Sequence, residues 1–208
     1  MSRGCEVFRR SLFPPCIHCD TVGVPPPAGR LGTAAALAAL VLAGGPTWAS
    51  HARHPPPPDD VTCPVTIRFS PHAGAETLVV DTLRQARARV RIAIYGLTSA
   101  AIEAALADLA RAGVPVALKS DHTQSAGKAQ AAGLERLQAA GVTVEVSRMS
   151  RLLHHKFAVV DGRWVITGSF NWTRGAEHRN RENVLVFDCP SLAAIFEAEW
   201  EAIAPALP

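Results

Sequence analysis

Methionine is nearly absent from this chain, occurring only at Met1 and Met149, tyrosine occurs once, and no segment repeats another. The shortage of methionine bears on where translation starts. The first thirty residues are too long for an ordinary n-region, and a later start would need a non-Met codon at Val22 or Val24. The expectation is an over-extended start. Long apolar runs are scarce too. The one present, L-G-T-A-A-A-L-A-A-L-V-L-A-G-G from Leu31, follows Arg30 and falls short of the roughly 20 residues a spanning helix wants. It ends in P-T-W-A-S-H-A, with small residues at Ala49 and Ser50, and so has the layout of a secretory signal peptide. Export to a periplasm or beyond follows as an expectation, with an anchor made of the same segment as the alternative.

Charge of a single sign is also missing. A net charge of +3 over 208 residues does not by itself imply nucleic acid. Of five cysteines, three (Cys5, Cys16, Cys19) precede the apolar run. Cys16-Ile17-His18-Cys19 could supply half a tetrahedral zinc site, but a second half at matching spacing is lacking. Once a leader is removed only Cys63 and Cys189 remain. A disulfide between them and a pair of free thiols are both open, because spacing alone cannot establish the geometry.

What is present is one core's worth of apolar sequence, 48% of the chain. Residues 1–50 read as leader. Residues 51–60, with Pro55 through Pro58, read as a stiff polyproline-type linker, and residues 61–208 as the folded domain. Within that domain strand-like runs at 65–68, 90–97, 114–118 and 142–146 alternate with helical periods at 76–89, 99–112 and 126–140. A hairpin, a loop from 172 to 181, a strand at 183–187 and a closing helix at 191–203 follow. The pattern predicts an α/β fold, a mixed β-sheet sandwiched by helices.

The stretch that carries chemistry runs H-H-K-F-A-V-V-D-G-R-W-V-I-T-G-S-F-N from His154 to Asn171. Asp161-Gly162 between two strand-forming runs signals a two-residue hairpin turn. That register sets His154 opposite Ser169 and Lys156 opposite Thr167, so His154, Lys156, Ser169 and Asn171 project to one side. An imidazole, an ammonium, a hydroxyl and a carboxamide together suit a phosphate. Asp161 has the opposite parity and sits at the turn, which favours a structural role.

The pattern H-x-K-x4-D-x6-G-S-x-N, complete here, resembles the HKD signature of the phospholipase D superfamily. Six fixed positions at about one in twenty each give a chance match on the order of 10⁻⁸ per start point. The resemblance covers about residues 65–203. Tyr95 at the end of I-A-I-Y-G-L-T-S, the G-S-F-N-W-T run and Glu182-Asn183 resemble the small single-motif bacterial endonucleases, relatives of Zucchini and the mitochondrial cardiolipin hydrolases. The resemblance implies that His154 is a nucleophile forming a phosphohistidine. It also implies that Lys156 and Asn171 hold non-bridging oxygens, with Ser169 and the backbone near Gly168 as further donors. Glu182 would be the acid that fixes the histidine tautomer. One histidine cannot be nucleophile and leaving-group acid in the same step, and this chain has one motif. A homodimer sharing one site is therefore expected, with no metal or other cofactor.

Seven basic residues against two acidic ones lie between Arg148 and Arg181. That local balance favours a polyanion or an anionic surface. Arg174, Arg179 and Arg181 suit a nucleic-acid backbone, and Trp172 could stack on a base or simply pack. The expected activity is a nonspecific endonuclease on DNA, with RNA as a further substrate. A phospholipid hydrolase is the alternative, disfavoured because no apolar surface segment is evident near the motif. A non-catalytic scaffold is a third reading, against which the complete motif speaks. A metallonuclease using His154, His155, Asp161 and His178 as ligands is the rival chemistry.

Overall fold

The computed structural model describes residues 61–147 and 152–203. The leader, the apolar run, Cys16 and Cys19, and the proline-rich linker lie outside the described residues. No helix among the described residues is long and apolar enough to cross a membrane.

Seven strands form one sheet: β1 (Val65–Ser70), β2 (Val90–Ile94), β3 (Val116–Asp121), β4 (Thr143–Ser147), β5 (Lys156–Val160), β6 (Trp164–Gly168) and β7 (Glu182–Asp188). Their order is β1-β7-β6-β5-β2-β3-β4. β2, β3 and β4 run parallel, and the remaining pairings are antiparallel, so the sheet is mixed as expected. The helices are α1 (Ala75–Leu83), α2 (Ala100–Arg111), α3 (His122–Ser125), α4 (Lys128–Ala139), α5 (Arg174–His178) and α6 (Pro190–Ala202).

Strand alternation separates two cores. Ile92, Ile94, Leu118, Ala158, Val160 and Ile166 pack with apolar residues of α1, α2 and α4. Ala93, Phe157, Val159 and Val165 face the other way, toward Ala193 and Trp200 of α6. Ser99 caps α2 by accepting from the Ile102 N–H, and Gly113 follows that helix at φ 86°, a conformation only glycine adopts freely. The buried Lys119 ends α6, its Nζ donating to the Trp200 and Ile203 carbonyls at 3.0 and 2.7 Å.

Two short helices, α3 and α5, stand where no element was expected. They span 4 and 5 residues, too few to display a helical period. α1 ends at Leu83 rather than continuing to Arg89, because the chain turns to meet the hairpin. Cys63 and Cys189 are joined by a disulfide across 126 residues, with Cα atoms 5.4 Å apart. It ties the chain ahead of β1 to the start of α6.

α6 lies over β5, β6 and β2. On that face Phe187 of β7 still packs against the second core, and β1 lies beyond it at the sheet edge. Val65, Ile67 and Phe69 on β1 are 47%, 42% and 57% exposed there, level with Phe187, Leu185 and Asn183 of β7. An apolar strip therefore runs along the sheet edge and reaches Asn183, which corrects the expectation that no apolar surface lies near the motif.

Candidate active site

Topology gathers the motif at one end of the sheet. β1, β2, β3 and β6 finish at this end while β5 and β7 begin there: Ile94 pairs with Lys156, and Ser70 with Glu182. Residues at the ends of six strands can thus converge on one place.

The hairpin departs from its expected register by one residue. Asp161 and Gly162 adopt φ 55° and 64°, as a two-residue turn requires, and the Arg163 N–H donates to the Val160 carbonyl at 3.0 Å. Arg163 is then an extra residue, and pairing resumes with Trp164 opposite Val160 and Ile166 opposite Ala158. Its carbonyl is taken by the Cys189 N–H at 2.9 Å. Lys156 therefore stands level with Gly168, not Thr167. The expected face-sharing of His154, Lys156, Ser169 and Asn171 does not arise from strand parity. Regular pairing stops at Gly168, so strand parity does not carry through to Ser169 and Asn171.

His154 is exposed just ahead of β5. The Lys156 Nζ lies 3.2 Å from both of its ring nitrogens and donates to its carbonyl at 2.8 Å. The Tyr95 ring packs against the imidazole at 4.6 Å between centroids, and the Lys156 ammonium lies 5.1 Å from the centre of the same ring. Burial lowers the Lys156 pKa below its ordinary value, partly opposed by the Glu182 carboxylate. Activity that needs this ammonium should fall on the alkaline side at a pH below the 10.5 of an ordinary lysine. In Lys156→Arg, whose guanidinium stays charged, that alkaline limb should disappear from a kcat/KM profile, whatever the arginine does to the maximum.

Gly168 adopts φ 144°, and a Cβ there would lie 2.2 Å from the Asn183 carbonyl oxygen. Only glycine allows this approach. Past it, the Ser169 N–H donates to Asn183 Oδ1 at 3.2 Å, and Ser169 Oγ donates to Glu182 Oε2 at 2.6 Å. Glu182 Oε1 accepts from Asn180 Nδ2 at 2.9 Å. Among the described residues the Glu182 carboxylate is thus held by Ser169 and Asn180 and makes no hydrogen bond to His154. The tautomer-fixing contact expected of it is not formed within one chain.

Asn171 lies beside Gly96, where an added Cβ would sit 3.4 Å from Asn171 Oδ1 and 3.2 Å from Thr173 Cγ2. That buried Oδ1 has no hydrogen-bond partner among the described residues. A desolvated, unbonded acceptor costs free energy and is characteristic of functional sites. Trp172 is 1% exposed and belongs to the core, and its backbone N–H donates to the Gly96 carbonyl at 2.9 Å. A side chain so enclosed offers no face to a base, so the stacking role considered for Trp172 is not available. It pins the Asn171 segment to the loop after β2.

Arg174, Arg179 and Arg181 are exposed, and among the described residues none has an ion-pair partner. Arg174, Gly175, His178 and Arg179 line a pocket of about 380 Å³ on α5, next in sequence to Asn171 and Trp172. His155 points to the opposite side, bonding Glu199 of α6 at 2.7 Å. Asp161 stands at the far end of β5, about 23 Å from His154 at roughly 3.3 Å per residue. Its carboxylate accepts from the N–H groups of Arg87, Ala88 and Arg89 at 2.8, 2.8 and 2.9 Å, tying the hairpin to the α1–β2 connection. Burial would raise its pKa, but these hydrogen bonds outweigh that and hold it below the ordinary value. The rival ligand set of His154, His155, Asp161 and His178 is thereby dispersed. No three His, Cys, Asp or Glu side chains among the described residues gather as a metal site.

Sequence reasoning does not single out one further residue near His154. Asp121, the last residue of β3, is fully buried and accepts from the Leu153 N–H at 2.9 Å. The only signal in the sequence is D-H-T-Q, an acidic residue at a strand end followed by a capping pattern.

The family described as cardiolipin synthase, PLD-like domain, matches residues 79–204. The chain is 34% identical over 136 residues to the mitochondrial cardiolipin hydrolase of Chlamydomonas reinhardtii, covering 65% of this chain and 56% of that protein. It is 33% identical to a phospholipase D of Rickettsia bellii, covering 65% and 67%. Its fold is similar to the crystal structure of Nuc, a phospholipase D family member from Salmonella typhimurium. The TM-score there is 0.66 at 30% identity, over 68% of this chain and 94% of that one. NucT from Helicobacter pylori shares the fold, with a TM-score of 0.58 at 20% identity.

Proposed function

We propose for this chain, which belongs to the phospholipase D superfamily and is a phosphodiester hydrolase, that it cleaves the nucleic-acid backbone as a nonspecific endonuclease through a covalent phosphohistidine. The carrying observation is the exposed His154 imidazole with the Lys156 ammonium 3.2 Å from its nitrogens, on a chain whose exposed Arg174, Arg179 and Arg181 have no ion-pair partner among the described residues. A His154 nitrogen attacks phosphorus, and the P–O bond to the leaving alkoxide breaks. Lys156, Asn171 and Ser169 offset charge on the non-bridging oxygens. A second imidazole, protonated, gives its proton to the alkoxide. It then takes one from the water that breaks the P–N bond and frees His154. The positive charge comes from side chains, so activity should survive EDTA.

The second imidazole is assigned to His154 of the partner subunit in a homodimer. The apolar strip Val65, Ile67 and Phe69 supports this reading, because it runs up to Asn183 and Glu182 at the site and needs covering. The strip also gives the lipid reading its one specific support, alongside relatives named phospholipase D and cardiolipin hydrolase. Phe69→Glu separates the two. With a dimer face there, the variant sediments as a monomer and loses activity on bis(p-nitrophenyl) phosphate. With a lipid-facing strip, it keeps that activity and loses only hydrolysis of cardiolipin in vesicles.

Arg174, Arg179 and Arg181 are assigned to backbone phosphates. Replacing Arg174 and Arg179 with Ala should weaken DNA and RNA binding alike. On duplex DNA it should also reduce the slope of log K against log salt by about 0.9 for each phosphate no longer neutralised. An unchanged slope would remove them from the binding surface. Zymography on DNA and RNA beside a cardiolipin-release assay decides between the substrates. Export is proposed as well, supported by the pairing of Cys63 with Cys189, since disulfides persist in oxidising compartments.

A further inference from the structure

The polar groups buried beneath the motif are more extensive than the motif itself requires. Ser120, Asp121, Ser125 and Gln130 bond one another and the backbone under the ends of β2 and β3. Asp121, 0% exposed, joins them through its backbone carbonyl, which accepts from Ser125 Oγ, and this leaves its carboxylate for other partners. Its Oδ1 accepts from the N–H groups of Thr123 and Gln124 at 2.9 and 3.1 Å and from the Thr123 hydroxyl, which caps α3. Its Oδ2 does something a cap does not need: it reaches across 32 positions to the Leu153 N–H, immediately before His154.

The capped helix turn leads to the same imidazole from the other side. Gln124 Nε2 donates to the Tyr95 hydroxyl at 2.9 Å, and the Tyr95 ring packs against His154. The Tyr95 N–H also donates to the His155 carbonyl at 2.8 Å. The backbone on both sides of His154 and the ring against it are therefore fixed by groups that lead to one carboxylate. We propose that Asp121 is a positioning residue for His154, one oxygen fixing the backbone before the imidazole and the other fixing the turn that holds Tyr95 against it. Burial disfavours the ionised carboxylate, but the bonds from Thr123, Gln124 and Leu153 outweigh it and keep the group an acceptor on both oxygens.

Asp121→Asn is the informative change. Asparagine is as good an N-cap as aspartate, so α3 keeps its cap. Its amide must then present an NH₂ where an acceptor is needed, and two donors meet at Leu153. This inference rests on His154 being the nucleophile, so wild type, His154→Ala and Asp121→Asn are compared on bis(p-nitrophenyl) phosphate, which does not depend on the substrate assignment. For folded Asp121→Asn the expected result is a kcat lower by about 100-fold with KM changed less than about twofold, since a misplacement near 1 Å costs that much. The imidazole NMR signals of His154 should shift or broaden while those of His178 stay in place. Gln124→Leu, which spares the buried carboxylate, should lower kcat by about 3- to 10-fold at unchanged Tm. A folded Asp121→Asn enzyme with wild-type kcat and an unmoved His154 signal overturns the inference and leaves the nucleophile reading intact. Should Asp121→Asn not fold, wild-type kcat in Gln124→Leu overturns it instead. Retained turnover in His154→Ala removes the nucleophile reading itself.

Discussion

Replacing His154 with Ala is expected to reduce turnover by about four orders of magnitude or more, because it removes the group that bonds to phosphorus. The side chain is exposed at a strand end, with the Tyr95 ring and the Lys156 ammonium against it, so Tm and oligomeric state should stay those of the wild type. The informative form of the experiment mixes the two proteins and lets subunits exchange. If one reaction centre needs an imidazole from each copy, only wild-type pairs are active, and activity follows the square of the wild-type fraction. An equal mixture should then give about a quarter of the undiluted rate. A mixture giving one half would mean that each chain works alone, and the shared-site account would fail. The covalent adduct is a separate readout: quenching at alkaline pH and mass analysis should find on His154 the phosphoryl group with the ester substituent that did not leave, in wild type only.

The second large effect is on the fold. Gly168→Ala should cost about 3 kcal/mol or more of stability, roughly 6–12 °C in Tm. The new Cβ would meet the Asn183 carbonyl at 2.2 Å, and the neighbour is backbone, which cannot rotate aside. The φ of 144° adds strain for any residue with a side chain. Relief would require β6 and β7 to separate where Ser169, Asn183 and Glu182 meet, so activity should be lost together with stability. Gly113→Ala is the control. Its φ is also positive, at 86°, but nothing lies within 4 Å, so only conformational strain of about 1 kcal/mol is expected. Equal losses in the two variants would show that close approach at Gly168 is not what matters.

Much of the fold was legible because its elements are long enough to show a period. β2 and β5 alternate cleanly between two cores, and Ser99 and Gly113 bracket α2 as a cap and a stop should. The hairpin register was not. Asp161-Gly162 does form the turn, yet Arg163 adds one residue before pairing resumes, and nothing local to D-G-R-W distinguishes the two cases. The choice is made from outside the hairpin, by the Arg87, Ala88 and Arg89 amides on Asp161 and the Cys189 amide on the Arg163 carbonyl. Trp172 is a similar case. A tryptophan beside a polar motif reads equally as a stacking platform or as core, and burial decided it.

By itself the sequence determined the chemistry: an imidazole, an ammonium, a hydroxyl and a carboxamide at fixed intervals, since reactivity resides in side-chain type and spacing. Only the tertiary structure decided how those groups meet. Six strand ends converge because the chain order of strands differs from their order in the sheet, and that order is set by contacts between residues far apart in sequence. Asp121 is the extreme case. An aspartate at a strand end is unremarkable as a letter, and its relation to His154 exists only because the folded chain brings Leu153 within 2.9 Å of it.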